Sequence, residues 1–249
     1  MSDNNQVTEQ SGKSRALAEA LAIAFLAAAV GVVLPLAAIS AIFAGGIQLK
    51  PSVVIALSIL LTQGVSFGGV ALLYLALQRG RIHVPLRWPT SSDWHWMAGG
   101  SVLALAALGV GLLVVSLIGL PVGEHQLQDI GAANPEIFLL LIPLSFLLIG
   151  PGEELLFRGV VQGRLRQAFG AGAAIGLAAV TFAAMHLMAL SGPIAARLTA
   201  VAVLLLPSLV FGLAYERSGN IVVPIVIHGS YNAVLLAASF YALQAEAGG

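Results

Sequence analysis

The sequence contains no cysteine, which excludes disulfide frameworks, thiolate metal sites and cysteine-protease chemistry, and leaves nothing to read about redox compartment. Charge is scarce: only 9% of the 249 residues are Asp, Glu, Lys or Arg, eleven basic against eleven acidic, for a net charge of zero. A chain without a basic excess has no electrostatic footprint for nucleic acid, so no nucleic-acid partner is expected. Glycine-rich nucleotide motifs and long basic tails are missing too. What is abundant is apolar. Hydrophobic residues make up 59% of the chain and the mean hydropathy is +0.97, far outside the range of a water-soluble domain, so the solvent is lipid.

A bilayer-spanning helix needs about 20 apolar residues. On that ruler the chain predicts seven spans, one more or fewer, near 16–44, 52–78, 94–119, 136–157, 172–190, 194–215 and 221–243. The expected fold class is all-α, a polytopic transmembrane helix bundle. Residues 1–15, MSDNNQVTEQSGKSR, are polar and are expected to form a disordered N-terminal tail without the short apolar core of a signal peptide. Residues 16–249 then form a single transmembrane domain with no internal repeat. Basic residues are retained on the cytoplasmic side. A cytoplasmic N terminus places Lys13, Arg15, Arg79, Arg81, Arg87, Arg158, Arg164, Arg166 and Arg217 on or toward that side, and leaves Lys50 and Arg197 outside. Arg197 is expected to snorkel to the outer interface. Trp88, Trp94 and Trp96, with His83 and His95, read as an interfacial belt beside the third span.

An ionisable group near the centre of a bilayer costs roughly 2.5 to 3.5 kcal/mol even on the lenient insertion scale. Yet GPGEELLFRGV sets Glu153, Glu154 and Arg158 directly after the apolar run IFLLLIPLSFLLI. Glu154 and Arg158 are four apart and share a helix face, so an ion pair is natural; Glu153 is turned by about 100° and must face something else. Gly150-Pro151-Gly152, just before the glutamates, predicts a break or kink. Two later spans carry one histidine each, His186 with Phe182 one turn before it, and His228 with Asn232 one turn after it. Three helices thus offer a carboxylate, an imidazole, and an imidazole with an amide. Hydrolysis of an amide needs such a set: a base to take a proton from water, and donors to hold the oxyanion. One Glu and two His are equally a ligand set for catalytic zinc with an open position for water, and the residues alone leave both readings open. A structural ion pair and interhelical hydrogen bonds are the plainer alternatives.

Glu153-Glu154-Leu155-Leu156-Phe157-Arg158, Phe182-Ala183-Ala184-Met185-His186 and His228-Gly229-Ser230-Tyr231-Asn232 stand in this order, each on its own span. Together they resemble the motifs of the CPBP family, the CAAX-protease and bacteriocin-processing (Abi) membrane proteins. The motifs cover roughly residues 150 to 235, within a catalytic core expected at about 135–243. The resemblance implies an intramembrane endopeptidase acting on a membrane-associated, prenylated CAAX-type protein or peptide, although many prokaryotic members act on other substrates. It implies that Glu153 activates water with help from His186, that His228 and Asn232 stabilise the oxyanion, and that Glu154 and Arg158 support the site. The cofactor stays open between none and a divalent metal such as zinc, held by Glu153, His186 and His228. The implied partners are the lipid bilayer and a peptide or lipidated protein substrate, and the expected location is a prokaryotic plasma membrane. Members can also serve as non-proteolytic membrane scaffolds or immunity proteins, which is the first alternative. A proton-coupled transporter comes behind it, since Glu and His in spans also mark proton paths, but the chain has no matched pair of interrupted spans.

Overall fold

The computed structural model describes residues 2–247, among which there are helices and connecting turns but no β-strand. In chain order the helices are α1 (Ser2–Ala44), α2 (Pro51–Leu77), α3 (Ser91–Leu117), a short α4 (Leu127–Ala133), α5 (Glu136–Arg166), α6 (Ala171–Met185, prolonged by a 3₁₀ turn His186–Ala189), α7 (Ile194–Ser218) and α8 (Val222–Ala247). All except α4 are long and apolar enough to cross a membrane, which gives seven spans among the described residues and an all-α polytopic bundle.

The bundle turns its bulky apolar residues outward: Phe25, Leu36, Leu72, Val102, Leu147 and Leu198 are all exposed. Lipid tails are as apolar as leucine, so helices in a membrane associate through close packing and backbone-directed hydrogen bonds rather than through apolar burial. Small residues accordingly line the interior. Ala20, Ala24 and Ala27 of α1 pack with Phe157, Val160 and Val161 of α5 and with Ala174 and Ala178 of α6. On α2, the Thr62 hydroxyl donates to the Gly31 carbonyl (2.8 Å) and the Ser66 hydroxyl to the Ala27 carbonyl (2.6 Å). A second apolar cluster, with Met97, Ala104, Phe211, Ala214, Val223, Ile227 and Tyr231, joins α3, α7 and α8.

Three expectations need correction. First, α1 is helical from Ser2, so the stretch read as a disordered tail is helix as far as it is described; Met1 and residues 248–249 lie outside the described residues. Extending an existing helix avoids the cost of nucleation, and Arg15 Nε donates to Glu19 one turn on (2.7 Å). Second, α5 continues to Arg166, well past residue 157. Its arginines do not end the helix, and each has a carboxylate: Arg158 has Glu154, Arg164 has Glu19 (2.7 Å) and Arg166 has Glu216 (3.0 Å). Third, Gly150-Pro151-Gly152 does not break the helix. Pro151 removes one N–H and crowds the preceding turn, and that turn, Ser145–Ile149, widens to a π-helix, as does Leu155–Gln162 after it. Arg197 is half-buried and donates through Nε to the Leu187 carbonyl (3.0 Å), capping the turn that carries His186.

At the opposite end from α4, residues 85–93 clamp the α7–α8 turn. Arg87 pairs with the buried Asp93, which caps α3 through Thr90, and Arg87 Nη2 also reaches the Ser218 carbonyl (2.9 Å). Asn220, fully buried, holds the backbone of Arg87, while Gly219 takes φ +55°, a left-handed helix end suited to glycine. This turn sets where α8 begins, and hence where His228 lies.

Candidate active site

Helices α5 and α7 lie side by side in a register that repeats every helical turn. Arg158 Nη2 donates to the Ser208 carbonyl (3.0 Å) and Oγ (2.9 Å), Gln162 Nε2 to the Gly212 carbonyl (3.2 Å), and Arg166 Nε to Glu216 (3.0 Å). This ladder holds the buried guanidinium of Arg158 in one place. Its Nε lies 3.2 Å from Glu154 Oε2 and its Nη1 donates to Glu154 Oε1 (3.3 Å). Phe182 and Phe211 flank the guanidinium, with ring centroids 4.8 and 5.4 Å from Cζ, so the cation meets two aromatic faces as well as its counter-ion. The expected i, i+4 pair of Glu154 and Arg158 thus forms, fully enclosed.

Glu154 reaches further. Its Oε1 accepts from His228 Nδ1 at 2.8 Å, across from α8. A carboxylate can only accept, so Nδ1 carries the hydrogen and Nε2 is the nitrogen turned into the site. The Phe211 ring stacks on this imidazole at 4.9 Å. On α6, His186 Nδ1 bonds the Phe182 carbonyl at 2.9 Å, which by the same reasoning turns the Nε2 lone pair inward. The Phe-x-x-x-His spacing therefore has two physical functions here: the Phe182 carbonyl fixes the ring of His186 one turn on, and the Phe182 side chain packs against both His186 (4.5 Å) and Arg158.

Both Nε2 atoms face one oxygen. Glu153 Oε2 lies 4.0 Å from His186 Nε2 and 3.8 Å from His228 Nε2, is buried, and takes no hydrogen bond among the described residues. The structure thus brings together Glu153, Glu154, Arg158, His186 and His228. Asn232, one turn beyond His228, is half-buried and makes no hydrogen bond with the described residues.

Two contributors lie outside the motifs. Gln63, on the π-helical part of α2, donates through Nε2 to Glu153 Oε1 (2.8 Å) and so fixes which oxygen stays free. Its sequence signal is faint, a single amide in an apolar span. Helix α5 can approach Gln63 because residue 152 is glycine: a Cβ there would fall inside the van der Waals surface of the Gln63 carbonyl. Gln63→Leu leaves a buried carboxylate oxygen unpaired, so it is expected to destabilise the fold by about 1–3 kcal/mol, read as a lower midpoint of thermal unfolding in detergent; an unchanged midpoint would make the contact dispensable.

The second contributor is the α3–α4 connection. It pairs with the α6–α7 loop through Gly123 N–H to the Ala196 carbonyl (2.8 Å), Ser191 N–H to the Glu124 carbonyl (2.8 Å) and Gln126 N–H to the Ala189 carbonyl (3.0 Å). It thereby covers the turn carrying His186 and brings His125 opposite Leu190. His125 is exposed at the surface of this loop. Even so, the protein crowded around it, and then His186, hold its imidazole below the ordinary histidine range, while Glu153 pulls the other way.

The residues nominated for a metal, Glu153, His186 and His228, face one another at separations wider than a bound ion would set. A tetrahedral site with bonds of about 2.1 Å has donor atoms roughly 3.4 Å apart, against 3.8 and 4.0 Å here. Among the described residues no group of three His, Asp or Glu side chains forms a metal-holding cluster.

The fold and the cluster define a polytopic helical membrane protein with an ion-paired Glu–Arg–His centre buried between α2, α5, α6, α7 and α8. Residues 135–234, which contain all of the motif residues above, match the family described as Rce1-like, type II CAAX prenyl endopeptidase Rce1-like. No curated protein and no solved structure matches the chain.

Proposed function

We propose that the protein is an intramembrane endopeptidase of the CAAX type that hydrolyses a peptide bond in a membrane-associated, prenylated protein or peptide, with water activated by Glu153. The observation that supports it most is the unpaired Oε2 of Glu153 set between two imidazole Nε2 atoms. The match of residues 135–234 to an endopeptidase family supports the reaction class.

Charge balance assigns the protons. The cluster holds two carboxylates, Glu153 and Glu154, and one guanidinium, Arg158, so neutrality in a buried setting calls for one more proton. On His228 that proton makes an imidazolium, stabilised by Glu154 at Nδ1, and leaves Nε2–H free to donate to a developing oxyanion. Glu153 then stays ionised and acts as the base. It takes a proton from water onto Oε2 while the water oxygen attacks the carbonyl carbon, and the carbonyl electron pair moves onto oxygen. His228 Nε2–H and the Asn232 amide hold that oxygen. The Nε2 lone pair of His186 accepts a hydrogen bond from the attacking water; the oxyanion's electron pair then re-forms the C=O bond as the C–N bond breaks, and Glu153 returns its proton to the leaving amine. Glu154 and Arg158 act on the site through His228, as positioning residues.

In this reading residues 135–243 are the catalytic core, the N terminus is cytoplasmic, and the membrane is a prokaryotic plasma membrane. A lipid anchor on the substrate would confine it to the same membrane and so raise its local concentration. The test compares new protein termini, by mass spectrometry, in membranes from cells expressing the wild type or Glu153→Gln at matched levels. Termini found only with the wild type support proteolysis and identify the substrate. Identical sets, where the wild type has a cellular effect, would favour a non-proteolytic scaffold.

A further inference from the structure

The ends of α1, α2 and α5 that lie away from α4 enclose a cavity of ≈ 640 Å³, separate from the Glu153 cluster and within the size range of small-molecule sites. Arg164, on its wall, is ten residues beyond Glu154 along the same helix, about 15 Å away. Three arginines, Arg15, Arg81 and Arg164, line the cavity against one carboxylate among the described residues, Glu19; Lys13, also on the wall, has a partner of its own.

That carboxylate is already committed. Glu19 Oε1 accepts from Arg15 and Oε2 from Arg164, both at 2.7 Å, so the walls keep a positive excess. Arg81 is exposed and its guanidinium has no carboxylate partner among the described residues; only its backbone carbonyl is used, by Gln167 Nε2 (2.7 Å). The Tyr74 hydroxyl, also on the cavity wall, is buried and donates to no acceptor among the described residues. A concave site with excess cations and an orphaned hydroxyl donor is built for a multivalent oxyanion. Its position at the ends of apolar spans, where basic residues collect, is where lipid headgroups lie.

We propose that this cavity binds the phosphate of an acidic phospholipid headgroup, with the acyl chains lying along the apolar outer faces of α1 and α2. The bound lipid would cross-link α1 to α2 and α5 at the end remote from the catalytic cluster.

The test uses the full chain, purified and placed in nanodiscs of phosphatidylcholine, with retained lipid counted by native mass spectrometry. Phosphatidylglycerol is expected to be retained in preference to phosphatidylcholine. Arg81→Gln is expected to weaken that preference about fivefold, the usual worth of one basic residue near an acidic headgroup. Tyr74→Phe, which keeps the ring, is a second variant that should weaken retention without affecting the fold. Equal retention of the two lipids, or full preference in both variants, would overturn the proposal. Inorganic phosphate is the third arm: if it stabilises the protein against heat while phosphatidylglycerol gains no preference, the site serves a soluble anion and the lipid assignment fails.

Discussion

Glu153→Gln is expected to lower peptide-bond hydrolysis by about 10²- to 10⁴-fold, the usual worth of a positioned general base, while the bundle stays folded. The folded state should survive for two reasons. The amide oxygen of glutamine can still accept the Gln63 hydrogen bond that now ends on Glu153 Oε1 at 2.8 Å. Removing this carboxylate also leaves Glu154 and Arg158 as a matched pair, so no buried charge is stranded. The check is hydrolysis of a prenylated peptide alongside a thermal unfolding curve for the same preparation. A lost fold with normal specific activity in the surviving fraction would make Glu153 structural.

Arg158→Met is expected to act in the opposite way, through stability. Arg158 is 1% exposed, and its guanidinium meets Glu154, the Ser208 carbonyl and hydroxyl, and two phenylalanine rings. Methionine fills much of the volume but leaves Glu154 without its counter-ion. Stranding one member of a buried pair costs about 3–5 kcal/mol, which should appear as a large fall in the unfolding midpoint and in the yield of folded protein. Adding Glu154→Gln removes the stranded charge and should recover most of the loss, as a double-mutant cycle reports for coupled neighbours. If the double variant is no more stable than Arg158→Met alone, the loss comes from packing rather than from charge. Arg158→Lys should fall between, because an ammonium cannot bridge Glu154 and Ser208 while lying flat between two rings.

The difference between these two variants follows from what each residue touches, and the same distinction explains what could be read from the sequence. Span number and placement depend on length and hydropathy, which are properties of contiguous residues, so all seven spans were legible within a few residues except at the end of α5. There the arginines at 158, 164 and 166 look like the end of the helix, and the pairing of two of them with the distant Glu19 and Glu216 leaves no mark in the sequence. The ion pair of Glu154 with Arg158 was legible because four residues make one helical turn. The contact of Glu154 with His228, 74 residues away, needed the family pattern to be suspected at all. Gln63 and Gly152 could not be found by motif, since what matters is the approach of one backbone to another. The cover formed by residues 123–126 is made of main-chain hydrogen bonds, which leave no mark on residue type. Gly150-Pro151-Gly152 reads as a break or kink because the rule assumes a regular α-helix, whereas a widened turn lets the helix continue through it.

The most direct measurement reconstitutes the purified chain in liposomes with a farnesylated peptide ending in a CAAX sequence and follows release of the C-terminal tripeptide. The expected result is release by the wild type and by Arg81→Gln, and none above background by Glu153→Gln. Release that is undiminished in Glu153→Gln would contradict the assignment of the base, and no release by a folded wild type, together with no new termini in its native membranes, would contradict the protease itself.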